Sequence, residues 1–312
     1  MPSSPTPIVI FAFNRPDHLE RTLRALGSCP EAAASPLTVY CDGARRESDE
    51  ARVREVRDVA GAAKGFASVQ VIARERNFGL AASIIDGVSS QVQQHGRVIV
   101  LEDDIVVSPH FLRYMHEGLA LYEHDEQVAS IHGYTYPVAE SLPETFFLRG
   151  ADCWGWATWA RAWRHFRPDG PALLAELRAQ RLTRAFDLDG AYPYTRMLED
   201  QIAGRNNSWA VRWHASCFLR GMLTLYPCRS LVVNIGNDDS GTHSGATSDY
   251  DVEMLQRPVR LQRIELVETA AASAAVSAFF RRKRSLPRRI ANRVRKLLPR
   301  RPAAPTQVPG TR

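Results

Sequence analysis

The feature that most constrains the fold is an alternation of short apolar runs with helical patterns over about the first hundred residues. Apolar runs bounded by turn residues predict buried strands, and apolar residues three or four positions apart predict amphipathic helices. Strands and helices that alternate in this way form a parallel sheet, because each helix returns the chain in a right-handed crossover. The predicted strands are residues 7–13, 37–41, 68–73 and 97–101, and the predicted helices are residues 19–26, 48–63 and 80–94.

The alternation becomes irregular after Ser108. An aromatic-rich region, residues 134–166, has no clear helix or strand pattern. Around it the spacing predicts helices near residues 109–123, 171–182, 192–204 and 209–222, and strands at residues 128–132 and 231–235. The predicted fold class is therefore α/β, with a mostly parallel sheet flanked by helices.

Composition places this chain of 312 residues among ordinary globular proteins, with 45% hydrophobic and 24% charged residues. The first apolar run is too short to span a bilayer, and it lacks the basic leader and cleavage site of a signal peptide. We therefore expect neither a membrane-spanning segment nor a signal peptide. The five cysteines show no CxxC spacing, which argues against a disulfide framework or a structural zinc site. Their number favours a reducing cytoplasm.

The net charge of +6 belongs to the C-terminal segment rather than to the body of the chain. Residues 269–312 contain twelve lysines and arginines and no acidic residue, so residues 1–268 carry a net charge of −6. Aliphatic residues interleaved with the basic ones predict a partly helical or disordered tail that contacts the anionic inner face of a membrane. The alternative is a solvated tail without a specific partner. The acidic body argues against nucleic acid as a partner.

Polar residues lie at or just past the ends of the predicted strands. Asn14, Asp42, Asn77 and Asp103 each follow an apolar run. Because ligands in open α/β sheets bind outside the carboxyl ends of the strands, we expect these four side chains to share one cleft.

Three adjacent carboxylates, Glu102, Asp103 and Asp104, directly follow the fourth predicted strand. Adjacent carboxylates repel one another unless a cation compensates them. Mg²⁺ or Mn²⁺ meets that need, since either ion takes oxygen ligands and bridges carboxylates to substrate phosphates. The alternatives are a solvated acidic turn, or acidic residues that favour the N-terminus of the next helix.

Four motifs resemble those of a known enzyme class. In chain order they are residues 8–16 (IVIFAFNRP), 39–43 (VYCDG), 76–80 (RNFGL) and 101–104 (LEDD). In this order they resemble nucleotide-sugar glycosyltransferases of the GT-A fold, which is Rossmann-like. The chain is similar to bacterial family-2-type transferases and to the N-acetylglucosaminyltransferase I group, whose metal motif is of the Glu-Asp-Asp type.

The resemblance covers residues 5–250 and implies a division of the chain. Residues 1–268 would form the glycosyltransferase domain, with a nucleotide-binding half at 1–107 and an acceptor half at 108–268. The basic residues 269–312 would form the tail.

The resemblance also implies roles at the donor site. Asp104 would bind the Mn²⁺ or Mg²⁺ that holds the nucleotide diphosphate, and Asp103 would lie against the ribose or the sugar. Asp42 would contact the base, for which uracil is favoured. The other implied donor-binding residues are Asn14, Arg15, Arg76 and Asn77. Surface salt bridges are the alternative for the two arginines, and turn chemistry is the alternative for Asn14.

Inverting sugar transfer needs a base that takes the proton of the acceptor hydroxyl. The base must lie across the cleft from the metal, so a distant segment should supply it. In similar transferases an acidic pair in the region of residues 197–201 supplies the base, which implies Asp200 as the base and Glu199 as the second candidate. The alternative is an exposed acidic pair on a helix.

A late histidine, His243, lies in a loop rich in Gly, Asp, Asn and Ser. Many members of the family place a histidine late in the domain as a further metal ligand, which implies that role for His243. Neutral imidazole is an acceptable ligand for Mn²⁺ and a poorer one for Mg²⁺. The alternative is an ordinary loop histidine.

Four tryptophans lie close together in the aromatic-rich region. Indole rings stack on sugar faces while their N–H groups bond to hydroxyls, so Trp154 and Trp156 are predicted to form a wall for the acceptor or the donor sugar. Trp159 and Trp163 are predicted to belong to the core.

The combined prediction is a metal-dependent, inverting glycosyltransferase that moves a sugar from a UDP-sugar, or another nucleotide-diphosphate sugar, to a glycan or a lipid-linked acceptor. The rival enzyme is a sugar nucleotidyltransferase, which also holds a metal with carboxylates. That class needs an early glycine-rich phosphate loop with a basic residue, and none follows the first predicted strand. The other rival is a nucleic-acid- or membrane-binding protein whose tail drives binding.

Overall fold

A computed structural model describes residues 6–238 and 247–284, and eight strands form one mixed sheet. The first part of the chain contributes β1 (Ile8–Ala12), β2 (Pro36–Cys41), β3 (Ser68–Ala73) and β4 (Arg97–Glu102). Later segments contribute β6 (Val128–His132), β7 (Thr145–Arg149), β8 (Trp156–Trp159) and β9 (Leu223–Pro227). The order across the sheet is β3-β2-β1-β4-β8-β6-β9-β7. A separate antiparallel pair joins β5 (Ile105–Val107) to β10 (Val232–Asn234).

Strand direction divides the sheet into two parts. β1 pairs in parallel with β2 and with β4, and β2 pairs in parallel with β3. β8 then runs antiparallel to both β4 and β6, whereas β6 and β9 are parallel and β7 is antiparallel to β9. The predicted α/β class is confirmed, with a parallel first half and a mixed second half.

Three helices connect the parallel strands: α1 (Pro16–Gly27), α2 (Glu50–Gly61) and α3 (Leu80–His95). The apolar residues that predicted the first of them, Leu19, Leu23 and Leu26, are buried in it. The remaining helices are α4 (Phe111–Leu121), α5 (Ala160–Trp163), α6 (Gly170–Ala179), α7 (Thr183–Phe186), α8 (Tyr194–Ile202), α9 (Trp209–Leu219) and α10 (Ala270–Arg284).

Hydrogen bonds hold the residues beyond the parallel strands in register. The N–H of Asp42 donates to the carbonyl of Ala12 over 2.9 Å, and the N–H of Asp103 donates to the carbonyl of Phe11 over 3.0 Å. The polar residues after β2 and β4 therefore lie beside the end of β1. This edge is where the sequence predicted a common cleft.

Two predicted strands, at residues 68–73 and 128–132, coincide with observed strands, and the other predicted strands agree within a few residues. Four strands, β5, β7, β8 and β9, were not predicted. β8 lies inside the aromatic-rich region, and β9 begins just after a helix that was predicted to run to residue 222. That helix ends at Leu219, and Gly221 follows it with a φ of 66°, which ends the helical path.

The first part of the predicted tail packs against the body of the protein. Phe279 and Phe280 in α10 are 6% and 2% exposed, and their rings contact Tyr136, Tyr192 and Tyr250. Helix α10, just after the expected boundary at residue 268, therefore packs against residues that precede that boundary. Residues 285–312 lie outside the described part of the chain. Within the described ranges, no helix combines the length and the apolar character that a bilayer span requires.

The segment between β10 and α10 is fastened to the body by polar contacts. Glu144 accepts hydrogen bonds from Arg257 over 2.5 and 2.7 Å and from the N–H of Arg260 over 2.9 Å. These contacts, with those of Arg257 first, lower the pKa of Glu144 to about 2. The carboxylate thus ties residues 257–260 to the start of β7.

We expect Glu144→Gln to lower the free energy of unfolding by up to about 1 kcal/mol at neutral pH. The folded pKa lies below the unfolded value of about 4.3, so the ion pair stabilises the protein above that pH and loses its effect as the pH falls toward about 2. Urea unfolding at several pH values should show the difference from wild type shrinking below about pH 4. Glu117→Gln, which breaks an exposed pair within α4, is the matched control, and an equal effect there would contradict the prediction.

Candidate functional site

A pocket of about 740 Å³ opens beyond the carboxyl ends of β1, β2 and β4. One part of its wall comes from residues that follow these strands, and we call it the acidic side: Asn14, Arg15, Asp42, Arg45, Glu102, Asp103 and Asp104. The facing part comes from later segments, and we call it the aromatic side: Tyr136, Asp152, Trp154, Tyr192, Tyr194, His214, Tyr250 and Phe280. The pocket therefore joins the first and second halves of the chain.

The acidic turn between β4 and β5 is held by backbone and side-chain contacts. The carbonyl of Asp103 accepts a hydrogen bond from the Thr22 hydroxyl over 2.8 Å. The Arg15 guanidinium donates to the carboxylate of Asp103 and lies 2.9 Å from Oδ2 of Asp104. The carbonyl of Asp104 accepts from the N–H of Ile235 over 2.9 Å, which links the turn to the end of β10. One arginine thus binds two of the three predicted carboxylates.

The acidic turn carries more negative charge than its surroundings compensate. Burial raises the pKa of Glu102, and the neighbouring Asp104 and Asp103 raise it further. Burial also raises the pKa of Asp103, against the lowering effect of Arg15. Three carboxylates face one guanidinium, so two negative charges remain uncompensated when all are ionised. A divalent cation would supply the missing charge.

Asp104 has the free acceptor that a cation needs. Its Oδ1 atom is buried and has no hydrogen-bond partner. Within residues 6–238 and 247–284, no group of three or more His, Cys, Asp and Glu side chains is arranged to hold a metal ion. The described residues would therefore supply one or two carboxylates, which is the usual way Mg²⁺ binds when substrate phosphates and water complete its shell. The residues present fit a cation of that kind.

Asp42 has a role that the sequence did not indicate. Its Oδ1 accepts from the N–H groups of Gly43 and Phe78 over 3.0 and 2.8 Å, and its Oδ2 accepts from the N–H of Gly79 over 2.9 Å. Gly79 directly precedes α3, so the carboxylate that follows β2 lies at the positive N-terminal end of that helix. A carboxylate has about four acceptor sites, so one remains for a ligand.

Two of the predicted donor-binding residues lie next to the pocket without lining it. Asn77 donates to the carbonyl of Gly43 over 2.7 Å and accepts from Arg45 over 3.2 Å, and Arg45 does line the pocket. The Arg76 guanidinium lies over the ring of Phe78, 5.5 Å from its centroid. A Cβ at Gly43 would come within 2.4 Å of the Arg76 backbone, so this close approach needs glycine.

The loop after β10 approaches the acidic turn closely. A Cβ on Gly236 would lie 2.1 Å from Oδ2 of Asp104. Asn237 lines the pocket, and Asp238 lies 3.2 Å from Nε2 of His18. His243, predicted as a metal ligand, lies in residues 239–246, outside the described part of the chain.

The structure does not bring the predicted base residues to the pocket. Asp200 and Glu199 lie on α8, whose residue Met197 lines the pocket. Asp200 is held by Arg205 over 2.5 Å and by Arg196 over 3.1 Å, and Glu199 is held by Arg178 over 2.8 Å. Ion pairs with three arginines therefore hold both side chains.

The two tryptophans predicted as a sugar wall lie in different environments. Trp154 is half-buried and lines the pocket. Trp156 is 1% exposed, stacks on Trp209 at 5.4 Å and lies 5.8 Å from Trp163, so it belongs to the core instead. The reason is the position of β8, which lies between β4 and β6 in the middle of the sheet, so that all four of its residues are buried. The core positions predicted for Trp159 and Trp163 agree with their 3% and 5% exposure.

Sequence reasoning missed most of the aromatic side. Asp152 lines the pocket and accepts a hydrogen bond from the Tyr136 hydroxyl over 2.8 Å. Tyr192 and Tyr194 come from one segment at the start of α8, and Phe280 comes from α10. No spacing in the sequence connects these two segments with Asp152. Arg45 could have been found, since it follows Asp42-Gly43 at the end of β2. For the aromatic side the only available signal was the density of aromatic residues.

Comparisons with known proteins give limited information. No known protein family and no curated protein matches the sequence. Among solved structures, the mannosyltransferase PcManGT from Pyrobaculum calidifontis, in complex with GDP-Man and Mn²⁺, matches with 14% identity and a TM-score of 0.39 over 69% of this chain and 70% of that one. TarS of S. aureus matches with 14% identity and a TM-score of 0.29. The match covers 47% of this chain and 24% of TarS. Similarity of this degree assigns neither a family nor an activity.

We expect Trp156→Ala to lower the free energy of unfolding by about 3–5 kcal/mol, because it leaves a cavity among stacked indoles. Trp154→Ala is the matched variant, and we expect it to cost no more than about 2 kcal/mol because its ring is already half-exposed. Urea unfolding measures both. A larger cost for Trp154→Ala than for Trp156→Ala would contradict the assignment of the two rings.

We expect Gly236→Ala to fold normally and to lower the affinity for Mn²⁺ by about 10–100-fold. The added methyl group would displace the Asp104 carboxylate, which can move, whereas the backbone is not obstructed. Calorimetric titration of Mn²⁺ measures the effect. Gly61→Ala, whose Cβ would meet nothing within 4 Å, is the control. Wild-type Mn²⁺ affinity in Gly236→Ala would refute a metal site at Asp104.

Proposed function

We propose that the protein is a metal-dependent, inverting glycosyltransferase that uses a nucleotide-diphosphate sugar, with UDP as the expected nucleotide. The acceptor would be a glycan or a lipid-linked glycan. The observation that carries this proposal is the single pocket in which a buried, under-compensated carboxylate turn faces a wall of aromatic side chains and one further carboxylate. A diphosphate with its cation suits the first side, and a sugar suits the second.

On the acidic side, Asp104 would hold the cation through its unpartnered Oδ1 atom, with Asp103 beside it. When bound, Mn²⁺ or Mg²⁺ would compensate the negative charge that develops on the departing diphosphate. Arg15 already contacts both carboxylates and would share the same charge with the diphosphate. His243, which lies outside the described part of the chain, remains a proposed further ligand of the cation.

Asp42 would orient the base of the nucleotide. Its carboxylate is fixed by three backbone N–H groups and has one acceptor site left. A base with a ring N–H donor, uracil among them, can use that site. Arg45 and Asn14 line the same part of the pocket and would complete the donor site. Asn77 and Arg76 would position the residues that follow β2, Gly43 and Arg45. Asp103 would face the ribose or the donor sugar.

The products of the reaction distinguish a glycosyltransferase from the rival nucleotidyltransferase. A glycosyltransferase releases a nucleoside diphosphate when the bond at the anomeric carbon breaks, whereas a nucleotidyltransferase releases pyrophosphate from a nucleoside triphosphate. Detection of UDP, rather than pyrophosphate, as the product supports the proposal.

We expect wild-type protein to bind UDP in the presence of Mn²⁺ and to lose most of that affinity without the metal. Asp104→Ala should weaken Mn²⁺-dependent binding by about tenfold or more, because the cation loses its protein ligand. Calorimetric titration with UDP, GDP and dTDP, with and without Mn²⁺, measures both effects and identifies the preferred base. Asp58→Ala, an exposed carboxylate on α2, is the control. Binding that is independent of metal and unchanged in Asp104→Ala would refute the proposal.

A further inference from the structure

Asp152 is the one carboxylate among the described residues that line the aromatic side of the pocket. Its Oδ2 accepts from the Tyr136 hydroxyl over 2.8 Å, and its Oδ1 accepts from the N–H of Cys153 over 2.9 Å. The side chain is only half-buried, so it is fixed in orientation yet open to the pocket. Each oxygen has bonding capacity left for a ligand hydroxyl.

The rings around Asp152 form a continuous cage. Phe280 lies 4.6 Å from Tyr192 and 5.0 Å from Tyr136, measured between ring centroids, and Tyr192 lies 4.5 Å from Tyr194. Trp154 forms the next part of the wall. Arg15 and Arg45 are the only lysines or arginines among the described residues that line the pocket, and both belong to the acidic side. The cage therefore suits a neutral ligand with apolar faces and hydroxyl groups, which describes a pyranose ring.

His214 gives a second, independent indication of a ligand in the cage. It is 7% exposed, lines the pocket and stacks on Tyr194 with 4.4 Å between ring centroids. Its Nδ1 lies 2.8 Å from the carbonyl oxygen of Ala151, whereas its Nε2 is buried without any partner. A buried nitrogen without a partner is costly, and a ligand hydroxyl would satisfy it.

We propose that Asp152 is the catalytic base and that the aromatic side binds a neutral pyranose ring as the acceptor. This inference rests on the function proposed above and names the acceptor side of that same site. It differs from the assignment of the base to Asp200, because Asp200 is bound by two arginines and does not line the pocket.

The proposed reaction transfers one proton to Asp152 as the glycosidic bond forms. As the oxygen of the acceptor hydroxyl bonds to the anomeric carbon of the donor sugar, its proton passes to a carboxylate oxygen of Asp152. The bond between the anomeric carbon and the diphosphate oxygen breaks, and its electron pair leaves with the diphosphate. The protonated Asp152 then returns its proton to water.

The test compares Asp152→Asn with Asp189→Asn in the full chain. Asparagine nearly keeps the shape of aspartate but cannot accept the proton. Asp189 is 68% exposed, does not line the pocket, and has a φ of 54°, which asparagine tolerates, so it is the matched control. The probes are UDP for binding, UDP-glucose, UDP-galactose and UDP-N-acetylglucosamine as donors, and p-nitrophenyl pyranosides as acceptors, all with Mn²⁺.

We expect Asp152→Asn to retain the UDP affinity and the thermal midpoint of wild type, while its rate of UDP release from the donors falls by about 100-fold or more. Asp189→Asn should release UDP at the wild-type rate. The retained UDP affinity distinguishes a lost base from a misfolded site.

Wild-type UDP release by Asp152→Asn would overturn the inference and leave the proposed function intact. A loss of release in Asp200→Asn, with Asp152→Asn unaffected, would assign the base to Asp200. If wild-type protein binds UDP with Mn²⁺ but binds and glycosylates none of the pyranosides, the acceptor assignment is wrong. A wild-type protein that does not bind UDP with Mn²⁺ refutes the proposed function itself.

Discussion

The contact between Arg15 and the carboxylates of Asp103 and Asp104 is the interaction on which the site depends. It joins the loop after β1 to the turn after β4, and it places a positive charge where three acidic side chains end a buried strand. Arg15 opposes the effect of burial, which raises the pKa of Asp103. The charge balance is still incomplete, and Oδ1 of Asp104 has no partner. The fold therefore holds an acceptor for a cation in a fixed position.

The two sides of the pocket are built in different ways. The acidic side comes from residues adjacent to β1, β2 and β4, and the register of the parallel strands brings them to one edge of the sheet. The aromatic side is assembled from the segment before β8, from α8 and α9, and from α10 at the end of the described chain. Its geometry depends on packing between distant segments, such as the contact of Phe280 with Tyr136.

This difference explains what the sequence could predict. The strand-end rule predicted Asn14, Asp42, Asn77 and Asp103 at one cleft, because parallel strands bring their carboxyl ends to one edge. Asn14, Asp42 and Asp103 line the pocket, and Asn77 lies beside it. It could not predict the burial of Trp156, which depends on the unpredicted strand β8 and on three other tryptophans. Nor could it exclude Asp200 as a pocket residue, since the arginines that bind it and the face of α8 that it occupies become visible only in the folded chain.

The difference in charge between the two sides also restricts how a substrate can lie in the pocket. The described lining beside Asp152 is unfavourable for a diphosphate, because it has a carboxylate and no lysine or arginine. On the acidic side, Arg15 and Arg45 attract it, and a cation at Asp104 would add to that attraction. Under the proposed function, a nucleotide sugar would therefore favour one orientation, with its diphosphate on the acidic side and its sugar toward the cage. In that orientation the bond to be broken would lie between the charged side and the carboxylate of Asp152, as transfer to a hydroxyl requires.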